Sequence, residues 1–328
     1  MSLTAIILAA GKSTRMKTRR PKALLEVCGK PMLHYILRAC YGAGCEKILL
    51  VVGHGKDEVT DAFKADKRIH FVEQTEPLGT GHAARMCEPL LKKSHGDVFI
   101  LAGDVPLVQS AVLTTLHRAH KDYHAHASMA TAVLEDPTGY GRVVRDENGD
   151  FVKIVEQVDC TPQQREIREV FPSYYCVKTD DLLWSLANLK NENKKHEYYL
   201  TDIYGLLRNA GKKVVAVQAA TYEDVLAPNT RQMLTDADEV MQARIQRHLL
   251  ESGVTIVAPS TTYIEDGVSM GRDTILQPFT FVGRDTSIGP DCCIGPFACV
   301  PRESIVPEGS TISGNIAEHT TMLSNRGG

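Results

Sequence analysis

Over the first two thirds of the chain, short apolar runs rich in β-branched residues alternate with amphipathic segments. The clearest runs lie at residues 4–9, 47–52, 68–72 and 97–101. Between the first two runs, residues 31–43 carry apolar side chains at helical spacing, namely Met32, Tyr35, Ile36 and Ala39. This spacing predicts a helix that crosses from one strand to the next. The alternation as a whole predicts a Rossmann-like α/β domain over residues 1–228, with a mostly parallel sheet and helices on both faces.

A longer amphipathic segment follows this domain. Apolar residues recur every three or four positions, at Met233, Ala237, Val240, Met241, Ile245 and Leu249. Gly253 is of the type that commonly ends a helix. The pattern predicts one long linker helix over residues 229–253.

The most regular part of the sequence is residues 254–328. Aliphatic residues stand at nine successive sixth positions, Ile264, Met270, Leu276, Val282, Ile288, Ile294, Val300, Val306 and Ile312. A period of six with one inward aliphatic residue is typical of a parallel β-helix, in which each coil stacks on the next. With roughly three hexads in each coil, the repeat predicts a short left-handed β-helix of about three coils.

Charge and hydropathy exclude several classes of protein. The 37 basic and 40 acidic residues give a net charge of −3, too balanced for coating nucleic acid by bulk electrostatics. No apolar run approaches the ~18 residues of a membrane helix, and the uncharged residues 1–4 do not resemble a secretory signal. We therefore expect a cytoplasmic protein with no membrane or nucleic-acid partner, and any anion it binds must meet a local site.

The strongest local signal follows the first predicted strand. There the chain reads Leu8, Ala9, Ala10, Gly11, Lys12, Ser13, Thr14 and Arg15, with Pro21 and Lys22 soon after. A turn of small residues lets backbone N–H groups approach phosphate oxygens, and the three cations add positive charge, which favours a triphosphate. The segment is not a Walker A loop, because Ile6 stands where that motif needs glycine. It is not a dinucleotide fingerprint either, since Ser13 and Met16 replace required glycines.

Four segments, in this order, resemble motifs of the sugar-1-phosphate nucleotidyltransferases. They are the loop just described, QTEPLGTGHA at 74–83, GDVPL at 103–107 and DPTGYGR at 136–142. With the long helix and the hexads added, the chain resembles the bifunctional N-acetylglucosamine-1-phosphate uridyltransferases and glucosamine-1-phosphate acetyltransferases up to about residue 315. That family combines a nucleotidyltransferase domain, a long helix and a left-handed hexapeptide prism.

The resemblance implies a role for each matching residue. The nucleotide would be held by Leu8, Ala9, Ala10, Gly11, Lys22, Gln74, Gly79, Thr80 and Gly103. Arg15 and Lys22 would neutralise phosphate oxygens, and with Asp104 they form the implied catalytic set. The sugar would be held by Thr80, Gly141 and Glu156, and Mg²⁺ by Asp104 and Asn229. Amide groups suit the uracil edge, which offers both a donor and an acceptor, and oxygen ligands suit Mg²⁺.

The sequence also departs from the family pattern. Ser13 replaces a glycine of the phosphate loop, Phe171 stands where the family has the Asn that touches the amino sugar, and Ala102 stands where it often has Tyr. The hexads stop near Ile312, and His319 lies beyond them, so we do not expect acetyltransferase activity. The nucleotide is thus better supported than the sugar.

These observations predict a Mg²⁺-dependent uridylyltransferase that converts UTP and N-acetylglucosamine-1-phosphate into UDP-N-acetylglucosamine and pyrophosphate, assembled as a homotrimer through the prism. One alternative is the same chemistry on another sugar-1-phosphate, such as glucose-1-phosphate with UTP or dTTP. Others are a non-catalytic nucleotide-sugar sensor and acyl transfer by the prism alone. A metal site at His117, His120, His124 and His126 is a further, less favoured hypothesis.

Overall fold

The computed structural model describes residues 2–11, 14–193 and 195–314, so Lys12, Ser13 and His319 lie outside the described residues. The chain forms two compact units. The first comprises Met1–Leu25 and Met32–Thr230, and the second comprises Glu26–Pro31 and the chain from Arg231 onward. The long helix thus groups with the repeats, and so does a six-residue hairpin far from them in sequence.

The first part of the chain alternates strands and helices. The strands are β1 (Ser2–Ala9), β2 (Glu26–Val27), β3 (Lys30–Pro31), β4 (Lys47–Val52), β5 (Ile69–Glu73), β6 (Gly96–Ala102), β7 (Ala127–Val133), β8 (Gly141–Arg145), β9 (Phe151–Val155), β10 (Glu169–Phe171), β11 (Tyr175–Lys178) and β12 (Val214–Gln218). The α-helices are α1 (Met32–Gly42), α2 (Lys56–Phe63), α3 (Thr80–Arg85), α4 (Glu88–Leu91), α5 (Ser110–Asp122), α6 (Pro162–Arg165), α7 (Thr179–Asn188) and α8 (Asp202–Asn209). Short 3₁₀ helices lie at Thr14–Met16, Lys22–Leu24, Gln157–Asp159 and Glu223–Val225.

Ten of these strands form one mixed sheet, in the order β5-β4-β1-β6-β11-β7-β10-β8-β9, with β12 also paired to β7. The strands β5, β4, β1 and β6 are parallel to one another, and β12 is parallel to β7. Beyond β6, each step along the main order is antiparallel. The prediction of a mostly parallel sheet is therefore correct for the first four strands and wrong beyond β6. One reason is local, since a short turn joins β8 to β9 as a hairpin, closed by the Gly149 amide donating to the Asp146 carbonyl at 3.0 Å.

Helices cover both faces of the sheet, as predicted for an α/β domain. Alternate residues of β6 enter two separate cores, Phe99 and Leu101 in one and Val98 and Ile100 in the other. Helices α1 and α5 supply the first core, and α3, α7 and α8 supply the second. Because both faces are buried, the central strands are apolar throughout rather than alternating.

The second unit begins with α9 (Arg231–Glu251) and continues as two-residue strands. They are β13 (Thr255–Ile256), β14 (Tyr263–Ile264), β15 (Ser269–Met270), β16 (Ile275–Leu276), β17 (Phe281–Val282), β18 (Ser287–Ile288), β19 (Cys293–Ile294), β20 (Cys299–Val300), β21 (Ile305–Val306) and β22 (Thr311–Ile312), with a 3₁₀ helix at Pro259–Thr261. They stack in three parallel sheets, β13-β16-β19-β22, β14-β17-β20 and β15-β18-β21. Ile264 pairs with Val282 and Val282 with Val300, so three hexads separate successive strands of one stack.

The predicted hexad positions form the core of this unit. Leu276, Val282, Ile294 and Val300 are each at most 2% exposed. Met270 and Ile312, at edges of the stacks, are partly buried against the same core, and Leu249 of α9 joins it. Within the described residues, no helix has both the length and the apolar character needed to cross a bilayer.

The hairpin of β2 and β3 is fixed to this unit by polar contacts. The Cys28 amide donates to Asp238 Oδ1 at 2.7 Å, and the Asp266 amide donates to the Cys28 carbonyl at 2.8 Å. Arg302 pairs with both Glu265 and Glu26. These contacts explain why six residues from the early part of the chain belong to the repeat unit.

Candidate functional site

A cavity of about 380 Å³ lies at the carboxyl ends of the parallel strands of the first unit. Strand β1 has β4 on one side and β6 on the other, and such a reversal of strand order is where α/β sheets bind ligands. The cavity is lined by twelve of the predicted site residues: Leu8, Ala9, Ala10, Gly11, Arg15, Lys22, Gln74, Gly79, Thr80, Gly103, Asp104 and Asn229. Gly141 and Glu156, both predicted on the sugar side, are not among its lining residues.

Two cations and two oxygen-bearing side chains meet in this cavity. Lys22 forms an ion pair with Asp104, which stands two residues after the end of β6. Lys22 Nζ also donates to Asn229 Oδ1 at 2.9 Å, and Arg15 Nη2 donates to the same oxygen at 2.9 Å. Asn229 itself precedes the first residue of α9 by two positions rather than starting the helix. The cluster thus brings together residues that are distant in sequence, and it places two cationic groups next to a carboxylate and an amide oxygen.

The oxygens of Asp104 and Asn229 fit a divalent cation. Both contact the same ammonium group, that of Lys22, so they converge on a position where positive charge is held. Carboxylate and amide oxygens suit hard cations, which take water and substrate phosphates as their other ligands. No group of three or more His, Cys, Asp or Glu side chains in the described part of the chain could hold a metal ion. A metal here would therefore depend on the substrate to complete its ligands.

Close backbone packing shapes the floor of the cavity beside β1. The Gly103 amide donates to the Leu8 carbonyl at 2.8 Å, which continues the ladder past the end of β6. A Cβ at residue 103 would lie 2.8 Å from the Ala9 Cβ, closer than carbon atoms can approach. Glycine at this position lets the strand ends lie side by side, so backbone rather than bulky side chains faces the cavity.

The loop that carries Gln74 and Gly79 is held in a fixed conformation. Gln74 is 9% exposed, and its Nε2 lies 3.2 Å from the Gly79 carbonyl and 3.1 Å from His82 Nδ1. Gly79 has a φ of +105°, and a Cβ there would lie 2.6 Å from the Tyr198 carbonyl oxygen. Thr80 Oγ1 accepts a hydrogen bond from the Leu200 amide at 3.0 Å. The Gln74 amide is therefore oriented before any ligand binds, a requirement for discriminating bases by hydrogen bonding.

Gly141 and Glu156 lie next to each other at the ends of β8 and β9. A Cβ on Gly141 would lie 3.8 Å from Glu156 Oε2, and Glu156 Oε1 accepts from Thr201 Oγ1 at 3.4 Å. Burial raises the pKa of the Glu156 carboxyl above its usual value. The structure thus keeps the two predicted sugar residues together, and neither is among the residues that line the cavity.

Phe171, which departs from the family pattern, and Ser173, two residues later, differ in whether they face the cavity. Phe171 is 4% exposed and packs in the core, so its ring does not line the cavity. Ser173 does line the cavity and has a φ of +66°, in the left-handed region that favours glycine. Ala102, the other departure, also lines the cavity.

Several lining residues were missed by sequence reasoning. His54 follows the end of β4, so the rule that selected Asp104 at a strand end also applies to it. Glu197, Ser173 and Tyr175 also line the cavity, and their sequence context carries no comparable signal. None of the described residues that line the cavity belongs to the second unit, whose six-residue repeat places aliphatic side chains in its own core.

The histidine cluster has a structural role. His117 Nε2 lies 2.8 Å from Asp97 Oδ2, Lys121 pairs with the same carboxylate, and His120 Nδ1 lies 2.9 Å from Ser128 Oγ. Burial alone would raise the pKa of Asp97, but hydrogen bonds from His117, His120 and Lys121 lower it below its usual range. These side chains stabilise one another at the amino end of β6, and no metal is needed to explain them.

Comparison with known proteins places the chain in a family. Residues 5–172 match the family described as the MobA-like NTP transferase domain, and the chain belongs to this family. Among curated proteins it is similar to the bifunctional protein GlmU of Brevibacillus brevis, with 41% identity over 86% of this chain and 61% of the relative. It is equally similar to the GlmU of Alkaliphilus metalliredigens, with 41% identity over 85% of this chain and 60% of the relative. The chain thus spans about three fifths of the length of these relatives.

A solved structure supports the fold of the first unit. It is described as UDP-glucose pyrophosphorylase complexed with UDP-glucose, and it matches with a TM-score of 0.59 and 21% identity. The match covers 74% of this chain and 100% of that one. At this level of identity, the likeness concerns the fold alone.

Proposed function

We propose that the protein is a uridylyltransferase that forms UDP-N-acetylglucosamine and pyrophosphate from UTP and N-acetylglucosamine-1-phosphate. A phosphate oxygen of the sugar-1-phosphate attacks the α-phosphorus of UTP, and the bond from that phosphorus to the departing pyrophosphate breaks. The observation that carries the proposal is the meeting of Arg15, Lys22, Asp104 and Asn229 in a cavity beside the glycine turn after β1. Similarity to proteins named GlmU supports the choice of substrates.

The chemistry needs no activated nucleophile from the protein, because the attacking phosphate is already an anion at neutral pH. The protein must orient two anions and reduce their repulsion, which is positioning and charge neutralisation. Lys22 is largely buried, with 11% of its side chain exposed, so its charge acts with little screening by water. Arg15 and Lys22, the two cations that meet in the cavity, would contact the phosphates.

The uracil would lie between the backbone around the end of β1 and the loop that carries Gln74 and Gly79. The backbone of Leu8 to Gly11 lines one side of the cavity, with Gly103 beside it, and Gln74 and Gly79 line another. The Gln74 side chain is fixed by Gly79 and His82, so it would present one orientation to the base. Such pre-organisation favours one base over others at low entropic cost.

The sugar would lie toward Thr80, Gly141 and Glu156. The Glu156 carboxylate, next to Gly141, offers an acceptor for sugar hydroxyl groups. Mg²⁺ would be held by Asp104 and Asn229, where it would neutralise charge on the reacting phosphates. Both assignments follow the family resemblance, and the convergence of the Asp104 and Asn229 oxygens supports the second.

We further propose that the three strand stacks form a left-handed parallel β-helix through which three copies assemble in the cytoplasm. The 18-residue spacing of paired strands supports a coil of three hexads. Phe279 and Phe297 stack on each other with ring centroids 5.1 Å apart, and they are 56% and 63% exposed. Ile305 of the same unit is 71% exposed. Exposed apolar groups of this size favour association between copies.

The direct test is pyrophosphate release with UTP, dTTP, ATP, CTP or GTP against N-acetylglucosamine-1-phosphate, glucosamine-1-phosphate, glucose-1-phosphate or galactose-1-phosphate. We expect turnover mainly with UTP and N-acetylglucosamine-1-phosphate, and loss of turnover with EDTA that added Mg²⁺ restores. Turnover with a different pair of substrates would support the proposed mechanism and contradict the proposed sugar or nucleotide. Nucleotide binding with no pyrophosphate release in any combination would contradict the proposed uridylyltransferase activity and favour a non-catalytic nucleotide-sugar sensor.

A further inference from the structure

A buried tyrosine places a hydroxyl group without a hydrogen-bond partner on the cavity. Tyr175, the first residue of β11, is 4% exposed and lines the cavity. None of the described residues forms a hydrogen bond with its hydroxyl. The hydroxyl oxygen is not among the side-chain atoms of the described residues that are both buried and unpaired, so it is accessible from the cavity. Tyrosine hydroxyls that are mostly enclosed usually bond a partner, and here a ligand in the cavity can supply it.

The ring of Tyr175 is held on two sides by other aromatic rings. Tyr204 stacks on it with centroids 5.5 Å apart and an interplanar angle of 7°, and Phe171 meets it edge-on at 4.7 Å and 87°. Phe171 stands at the position where the resemblance predicts a sugar-contacting Asn. Here that residue supports the ring of Tyr175 instead. The aromatic contacts fix the direction of the hydroxyl, as a specificity-determining group requires.

The surroundings of the hydroxyl are acidic and near the sugar residues. Burial raises the pKa of Tyr175 well above its usual value, and the carboxylates of Glu156 and Asp202 raise it further. The group is therefore neutral and able to donate a hydrogen bond. Glu156, a predicted sugar residue, is thus one of the charges that act on this group. Ala102 lines the same cavity with only a methyl group, which leaves room for a substituent at this point.

We propose that the Tyr175 hydroxyl donates a hydrogen bond to the carbonyl oxygen of the sugar's 2-acetamido group, replacing the side chain that Phe171 cannot provide. This inference rests on the proposed function and names the residue that distinguishes an N-acetylated amino sugar from an unsubstituted hexose. The Glu156 carboxylate would bond the sugar's own hydroxyl groups. Selectivity for the N-acetylated sugar then comes from Tyr175 on β11 rather than from the residue at position 171, at the end of β10.

The test compares the binding of UDP-N-acetylglucosamine and UDP-glucose by calorimetry, in the full chain and its Tyr175→Phe variant. The variant keeps the ring and its stacking and removes only the hydroxyl. We expect the affinity for UDP-N-acetylglucosamine to fall by about tenfold, the effect of one lost hydrogen bond, while the affinity for UDP-glucose changes by less than about twofold. An equal loss for both ligands, or no loss for either, would overturn the inference.

Tyr204→Phe is the matched control, because it removes the hydroxyl of the ring stacked on Tyr175. That hydroxyl donates to the Ser128 carbonyl at 3.3 Å and does not line the cavity. We expect this variant to leave the ratio of the two affinities unchanged, and a shift like that of Tyr175→Phe would overturn the inference. Pyrophosphate release is measured separately. Selective binding without turnover would contradict the proposed reaction and leave the role of Tyr175 standing.

Discussion

The two units of this protein use their sequences in different ways. In the repeat unit, the buried aliphatic residues of paired strands lie 18 residues apart, and the same environment recurs along the chain. In the α/β unit, the site gathers Arg15, Lys22, Asp104 and Asn229 from strand ends and loops that share no local pattern. The comparison shows that periodic sequence specifies packing, whereas the chemistry depends on which chain segments the sheet brings together.

The same contrast exists within a single strand. Asp97 lies near the amino end of β6, is 4% exposed and is held by His117, His120 and Lys121. Asp104 follows the carboxyl end, has 29% of its side chain exposed and pairs with Lys22 in the cavity. The first aspartate is committed to structure, and the second remains accessible to a ligand. Substitutions at the two ends should therefore separate stability from activity.

The largest effect is expected for Asp104→Ala. Removing this carboxylate takes away a proposed metal ligand and the ion-pair partner of Lys22, so the rate of pyrophosphate release should fall by about 100-fold or more. Lys22, with 11% of its side chain exposed, loses its ion-pair partner but keeps its hydrogen bond to Asn229, so the free energy of unfolding should fall by no more than about 1–3 kcal/mol. Steady-state kinetics and urea unfolding measure the two quantities. Near-normal turnover would remove Asp104 from the site.

The next effect concerns the repeat unit. Leu276→Ala empties a core position that is 0% exposed, and we expect a loss of about 2–5 kcal/mol in the stability of this unit. Ile275→Ala, one residue earlier in β16, changes a side chain that is 36% exposed and should cost much less. Calorimetric melting of both variants measures the difference. Equal losses would show that the hexad position does not define the inward face.

A smaller, pH-dependent effect is expected for Asp97→Asn. The pKa of Asp97 is lowered in the folded protein, so its charge stabilises the fold above the unfolded value of about 3.9. That contribution is lost as the pH falls through this value toward the lower folded pKa. The variant should be less stable by about 1–3 kcal/mol at neutral pH, and the gap should narrow below about pH 4.

Urea unfolding of Asp97→Asn and the unsubstituted chain over this pH range tests the sign of the dependence. Because Asp97 lies at the opposite end of β6 from the cavity, the KM for UTP should not change at neutral pH. A gap that stays constant, or widens on acidification, would show that the charge of Asp97 is not what stabilises this end of the strand.

The smallest expected effect is a gain in stability. Ser173 has a φ of +66°, a conformation that costs an L-residue about 1–2 kcal/mol and glycine very little. After the greater chain entropy of glycine is subtracted, Ser173→Gly should stabilise the protein by about 0.5–1 kcal/mol. Ser185→Gly within α7 is the control and should destabilise by about 1 kcal/mol. Thermal melting distinguishes the two signs.

Much of the fold could be predicted because its signals are local. The apolar runs at 4–9 and 47–52 correspond to β1 and β4, and the predicted helices correspond to α1 and α9. The antiparallel half of the sheet was not predicted. Strand direction depends on which neighbours meet, and β11 lies between β6 and β7 although β7 comes first in the chain. Periodicity within one strand carries no information about that order.

The candidate site was predicted where a motif and a strand end coincide. Twelve predicted residues line the cavity because the turns after β1, β5 and β6 carry family motifs, and the parallel strands bring these turns together. Tyr175 and Ser173 were missed, since a tyrosine in an apolar run is indistinguishable from an ordinary core residue. Phe171 was noted only as a departure from the family.

Residue spacing alone is enough to predict the hexad core of the repeat unit and the α/β character of the first unit. These features follow from residue spacing and from the limited conformations that each residue type allows. Only in the folded sheet do Asp104 and Asn229 bond the same Lys22 ammonium group, and only there is Asp97 held by His117, His120 and Lys121. These facts depend on contacts between residues far apart in the chain, and such contacts exist only once the sheet has folded.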